Sequence, residues 1–217
     1  TPQPQSSITI MDQKTGQVKA MVGGRGEKAS SLGLNRAYQG SKRQPGSTFK
    51  ILAAYAPALD SCDKTLATTI DDEPYTLKSG QVLRNANKQY GGTTTLREGI
   101  KRSINVVAVK LSDEITQELG YEYCQKFGIS TLVKNKTING KVFDDSTSQT
   151  LALGGITEGV YNYEMCAAYA TIANGGEYNK PTLYSKVVDH DGNVLLDGTG
   201  ESHTVIKDST AYLLTSA

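Results

Sequence analysis

Tryptophan is absent from the 217 residues, histidine occurs twice, cysteine three times, and neither sign of charge dominates. Lys and Arg number 23 against 22 Asp and Glu, a formal net charge of +1. So even a balance offers no basic footprint for neutralising phosphates, which argues against a nucleic-acid partner. Long apolar runs are also missing. The longest, such as Val106 to Val109, fall far short of the roughly 18–20 residues that cross a bilayer, so no membrane segment is expected. Cys62, Cys124 and Cys166 lack the C-x-x-C spacing of zinc and redox sites and the even count of a disulfide framework. They read as structural thiols, two of them in apolar or aromatic surroundings. His190 and His203 sit in polar, turn-like sequence, so neither a metal cluster nor a Ser-His-Asp triad finds its material here. A nucleophile in this chain must use another base.

What is present suffices for a folded α and β domain: the length suits one large domain or two small ones, and 37% of residues are hydrophobic. Ser7 to Met11 and Val18 to Val22 read as two strands joined by the turn Asp12 to Gly16, a hairpin. Ser47 to Leu59 is apolar on nearly every face, which predicts a buried helix. Residues 60–94 read as loops and small strands. Thr95-x-x-Glu98 matches a capping box that opens a short helix. Beyond a polar break at Ser103 to Asn105, a 3.6-residue apolar period predicts a second helix from near Asn105 to about Glu118. Residues 129–148 read as a loop-rich connection. Asn162 is expected to cap a helix over Tyr163 to Asn174, ended by Gly175-Gly176. Another hairpin is expected over 183–196, and a last helix from Lys207 onward.

Lys50 is the residue a purely structural reading accommodates least. A lysine in the first turn of an apolar helix loses hydration, and the positive end of the helix dipole further disfavours its ammonium, so both lower its pKa. Such a lysine can act as a general base, and Ser47 lies three residues earlier on the same helical face. Pro45-Gly46 adds a rigid, open approach, and free N–H groups at the helix start suit an oxyanion. Ser-x-x-Lys alone also fits an N-cap serine beside a snorkelling lysine. Ser103-Ile104-Asn105 places two short polar side chains two apart, which in a loop or extended segment point the same way, as a site wall requires. An interhelix turn with capping Ser and Asn would give the same tripeptide.

Ser47-Thr-Phe-Lys50 and Ser103-Ile-Asn105, just over fifty residues apart, resemble the first two active-site motifs of penicillin-binding proteins. The flanks are similar to the transpeptidase domain of the bifunctional, class A members. They include Asp12-x-Lys-Thr-Gly16-x-Val18 in the first hairpin, Asn35 to Gly46 before the serine, Thr95 to Glu98, Leu151 to Gly155 and Glu164 to Ala170. The resemblance implies an α+β, β-lactamase-like fold, an antiparallel sheet flanked by helices with an all-helical subregion. It also implies a D,D-transpeptidase that cross-links peptidoglycan without metal or organic cofactor. Ser47 would attack the penultimate D-Ala carbonyl of a stem peptide, Lys50 would activate Ser47, Ser103 would relay the proton and Asn105 would hold the substrate backbone. β-Lactams would acylate Ser47. Such domains work on the outer face of the cytoplasmic membrane, held by an anchor in the parent protein.

One departure stands out. The family's third motif, Lys-Thr/Ser-Gly on a cleft-lining strand, follows the first two, and nothing after Ser103 provides it. Lys14-Thr15-Gly16 precedes Ser47 and reads as a hairpin turn. Residues 1–217 are therefore expected to be the N-terminal part of a transpeptidase domain, with its C-terminal strands and the upstream glycosyltransferase domain missing, and to be inactive alone. A β-lactamase is disfavoured because Ile104 stands where that group carries Asp. A D,D-carboxypeptidase uses the same residues with water as acceptor, and a β-lactam-binding sensor domain would acylate without turnover. A non-catalytic scaffold is set against the intact Ser47, Lys50, Ser103 and Asn105.

Overall fold

The structure is a computed structural model that describes residues 3–27, 30–38, 40–198 and 200–217. Gln39, inside the Asn35 to Gly46 run, lies outside the described residues. Strands β1 (Ile8–Met11) and β2 (Val18–Val22) form the expected hairpin, antiparallel with a bulge between Ile10 and Met11. Lys14-Thr15-Gly16 lies in its turn, with Gly16 at φ 72°, a left-handed conformation that costs glycine nothing. Four short strands follow the central helix: β3 (Thr69–Asp72), β4 (Tyr75–Thr76), β5 (Val82–Leu83) and β6 (Gly92–Thr95). β3 pairs with β6 and β4 with β5. Three further ribbons pair 136–138 with 141–143, 177–179 with 202–204 and 186–188 with 194–197, the last being the second hairpin anticipated from sequence. Among the described residues all six strand pairs are antiparallel. Among the described residues no helix is long and apolar enough to cross a membrane.

The buried helix predicted over Ser47 to Leu59 is present, but it winds in three ways. A 3₁₀ turn spans Gly46–Thr48, a π turn spans Ile51–Tyr55, and α1 spans Ala56–Ser61. Pro57 explains the wide middle. It has no N–H to give the Ala53 carbonyl four residues back, and its ring crowds that position in a tight α turn. Phe49, Leu52, Tyr55 and the alanines 53, 54, 56 and 58 have no exposure at all. Each fully buried Leu or Phe contributes about 1.5–3 kcal/mol, which makes this segment the axis of the core.

Helix α2 (Leu96–Lys101) begins where the capping box predicts, its Thr95 hydroxyl accepting from the Glu98 N–H at 3.3 Å. Helix α3 runs over Asn105–Ile115 and stops earlier than the period suggests. Thr116, at φ 76° and ψ 142°, breaks it and starts α4 (Gln117–Lys126), accepting from the Leu119 N–H. Leu119 continues the apolar spacing across a real break, so one expected helix is two. Helix α5 (Asn162–Ala173) also corrects an expectation. Its N-cap is Tyr161, without a side-chain cap, and Asn162 Oδ1 instead accepts from the Thr9 hydroxyl at 2.7 Å, tying α5 to β1. Gly175 and Gly176, both at positive φ, end it as expected. The last helix, α6, spans Asp208–Ser216. The three thiols are free, with Cys124 wholly buried and its thiol pushed up by burial.

Candidate active site

Ser47 sits in the 3₁₀ turn and Lys50 immediately precedes the π turn. The segment leading to them is clamped by the loop 151–160. Arg43 and Val160 exchange backbone hydrogen bonds of 3.0 and 2.8 Å. Gln44 donates to the Ile156 carbonyl at 2.6 Å and accepts from its N–H at 2.9 Å. Gly154, at φ 72°, lies so near Gly46 that a side chain there would run into its backbone. The Leu151 to Gly155 stretch noted in the sequence is thus the strut under the residue preceding Ser47. From the other side the Tyr169 hydroxyl of α5 donates to the Thr48 carbonyl at 2.7 Å.

Lys50 is only 2% exposed. Its Nζ is 2.7 Å from the Ser103 carbonyl, 3.0 Å from the Ser103 hydroxyl and 2.7 Å from Asn105 Oδ1. Burial depresses its pKa to about 8, the direction expected from sequence, with desolvation as the cause. Ser103 and Asn105 do present their polar groups to one side. Ser103 is left-handed (φ 52°), Ile104 is extended and Asn105 opens α3. A non-glycine residue held at positive φ stores strain, and this one turns both its carbonyl and its hydroxyl onto Lys50.

Lys50, Ser103 and Asn105 are therefore brought together. Ser47 is exposed, one short turn earlier on the helix, and among the described residues its hydroxyl makes no hydrogen bond, to Lys50 or to any other group.

Two residues that sequence reasoning passed over hold the second wall. Asn85, in the stretch taken for loops, accepts at Oδ1 from the N–H groups of Asn105 and Val106 at 3.0 and 3.2 Å, capping α3 from 20 residues away. Its Nδ2 donates to buried Asp72 at 2.7 Å, whose other oxygen accepts from the Gly91 N–H at 2.8 Å. Asn105 Nδ2 donates to the Arg84 carbonyl at 2.9 Å, which fixes its oxygen toward Lys50. A polar Asn-x-Asn run looks like any turn in sequence; the capping is visible only once the segment after β5 meets the start of α3.

The exposed Ser47 and the buried Lys50 thus share one helical support, and the strained Ser103 closes on the lysine from the turn between α2 and α3, on an α+β scaffold. The penicillin binding protein transpeptidase domain matches residues 6–217, and the chain belongs to that family. It is 37% identical to penicillin-binding protein 1A of Clostridium tetani over 98% of the chain and 27% of that protein. It is 29% identical to penicillin-binding protein 1A/1B of Bacillus subtilis over 97% of the chain and 22% of that protein. The chain thus spans about a quarter of the length of these relatives. Among solved structures, penicillin-binding protein PonA1 of Mycobacterium tuberculosis superposes with a TM-score of 0.79 at 25% identity, covering 98% of this chain and 54% of that one. A second PonA1 structure is a complex with penicillin V. Penicillin-binding protein 1A of Haemophilus influenzae gives 0.77 at 26% identity, covering 97% of this chain and 34% of that one.

Proposed function

We propose that residues 1–217 are part of a domain that cross-links peptidoglycan stem peptides by D,D-transpeptidation through an acyl-enzyme on Ser47. The observation that carries the reading is the convergence of Ser103 and Asn105 on a buried lysine whose pKa burial lowers to about 8. Neutral Lys50 takes the proton of the Ser47 hydroxyl as its oxygen bonds to the penultimate D-Ala carbonyl carbon. Collapse of the tetrahedral intermediate breaks the peptide bond. The departing D-Ala amine takes its proton from the Ser103 hydroxyl, which Lys50 re-protonates. An amine of a second stem peptide then attacks the ester and releases Ser47. Asn105, able both to donate and to accept, holds the peptide backbone.

β-Lactams would open on the same serine, a reading supported by the penicillin V complex of PonA1. The work would be done on the outer face of the cytoplasmic membrane by an anchored parent protein, as the family resemblance implies. The test joins these residues to a downstream Lys-Thr-Gly strand and exposes the product to fluorescent penicillin. Label is expected on Ser47 and is expected to vanish in Ser47→Ala; label that persists in that variant would overturn the assignment. Cross-linked dimer from donor and acceptor peptides marks a transpeptidase, and free D-Ala without dimer marks a carboxypeptidase.

A further inference from the structure

A cavity of about 520 Å³ opens between the first hairpin, α5 and the 177–184 segment, sharing no residue with the Lys50 cluster. Glu164 of α5 lines it and is only 4% exposed. Its carboxylate accepts from the Ser130 hydroxyl at 2.6 Å, from the Ser130 N–H at 3.4 Å and from the Tyr163 hydroxyl at 3.4 Å. All three donors are neutral. Among the described residues no lysine, arginine or histidine forms an ion pair with it; Lys42, whose charge acts on it from a distance, is paired with Glu158. Burying a carboxylate without a cation in contact is costly, and burial holds this one above its usual range. A glutamine would keep the 2.6 Å bond at no cost in charge, so holding Ser130 does not account for the acid.

The rest of the lining agrees in sign and chemistry. Glu201 and Asp197 also line the wall, as does the ammonium of Lys180, 3.2 Å from Glu201. Aromatic rings line it as well: Tyr38 and Tyr163, packed at 5.0 Å between centroids, and Tyr178, whose ring packs on His203 at 4.9 Å. Acidic groups around an aromatic wall attract a cation twice, by charge and by the ring faces. We propose that this cavity binds a primary organic ammonium, the cationic end of an amine ligand, with Glu164 as its counter-ion.

The test titrates n-butylammonium chloride into the ¹⁵N-labelled chain, with n-butanol as the uncharged probe of equal length. Saturable shifts at the amides of Ser130 and Glu164 are expected with the ammonium and not with the alcohol. Glu164→Gln, which keeps the Ser130 bond, should weaken binding by about tenfold or more, as losing a partly buried counter-ion does. Equal binding of butanol, unchanged affinity in Glu164→Gln, or no shift at Ser130 would each overturn the proposal. A matching spectrum of Glu164→Gln away from the cavity confirms that the variant is folded, so that a loss of binding reports the charge.

Discussion

Lys50 Nζ meets Ser103 twice, at 2.7 Å from its carbonyl and at 3.0 Å from its hydroxyl, and the two contacts differ in kind. The carbonyl, like Asn105 Oδ1 at 2.7 Å, can only accept. The hydroxyl can accept from an ammonium or donate to an amine. When Lys50 is neutral, two N–H bonds remain on the obligate acceptors and its lone pair is left for a proton coming from a hydroxyl. Gaining or losing a proton at Lys50 therefore leaves the frame intact and reverses a single hydrogen bond.

The pKa of about 8 makes this reversal pH-dependent. At pH 7.5 about a quarter of Lys50 would be neutral, against about one part in a thousand for an ordinary lysine. Acylation by penicillin, in a polypeptide joined to a Lys-Thr-Gly strand, should rise with pH through a midpoint near 8 and level off about one unit higher. Stability has the matching sign. Between about 8 and the unfolded value near 10.5 the unfolded chain binds more protons, so folding becomes more favourable as pH rises. Relative to Lys50→Met, the natural chain should therefore gain about 1–2 kcal/mol of unfolding free energy from pH 8 to 9.5, a difference in which the opposing contributions of the buried Cys124 thiol and the buried tyrosines cancel. A difference that stays flat over this range would assign the titration to another group.

Asn85 supports the same lysine indirectly. Asn85→Ala orphans the N–H groups of Asn105 and Val106 and leaves Asp72 without its side-chain donor. Losing that cap and satisfaction should cost about 1–3 kcal/mol in urea unfolding. Asn85→Asp is more informative, because it sets a second carboxyl against Asp72. One of the pair must then titrate above the unfolded value. Its stability should be highest in acid and fall as pH rises through that raised value. A flat difference from the natural chain between pH 4 and 7 would mean that the two groups do not face each other.

The strut beneath Ser47 can be tested with two glycines of like backbone and unlike surroundings. At Gly46 (φ 57°) an added Cβ would have nothing within 4 Å, whereas at Gly154 (φ 72°) it would meet the Gly46 carbonyl oxygen and, at 2.6 Å, the Gly46 nitrogen. Gly46→Ala should cost only the left-handed backbone, about 1 kcal/mol. Gly154→Ala adds a collision with backbone and should cost about 2–4 kcal/mol, together with a loss of Ser47 acylation. Equal costs by chemical denaturation would remove the strut.

The features legible in sequence are those fixed by neighbours along the chain. The β1–β2 hairpin follows from a turn five residues long, the start of α2 from Thr95 and Glu98, and the lysine's depressed pKa from an apolar helix around one ammonium. Features set by distant partners were not legible. Leu119 keeps the helical period across Thr116, so the break between α3 and α4 is invisible to periodicity. Asn162 has the chemistry of a cap, yet Thr9, 153 positions away, takes its oxygen. Asn85 reads as a turn residue because the helix it caps begins 20 residues later.

The π turn under Lys50 yields a last prediction. Pro57 leaves the Ala53 carbonyl without the donor an α-helix would supply, and Gly120 of α4 packs against that carbonyl so closely that any side chain would strike it. Gly120 is buried in the middle of α4 with ordinary helical backbone, so glycine serves close approach there and not conformation. On propensity alone Gly120→Ala would stabilise α4 by about 1 kcal/mol. The collision should reverse the sign to a net loss of about 1–3 kcal/mol, because the Ala53 backbone belongs to the core axis and cannot yield as a flexible side chain would. Urea unfolding decides it: a gain in stability would mean that α4 and the π turn are not in contact.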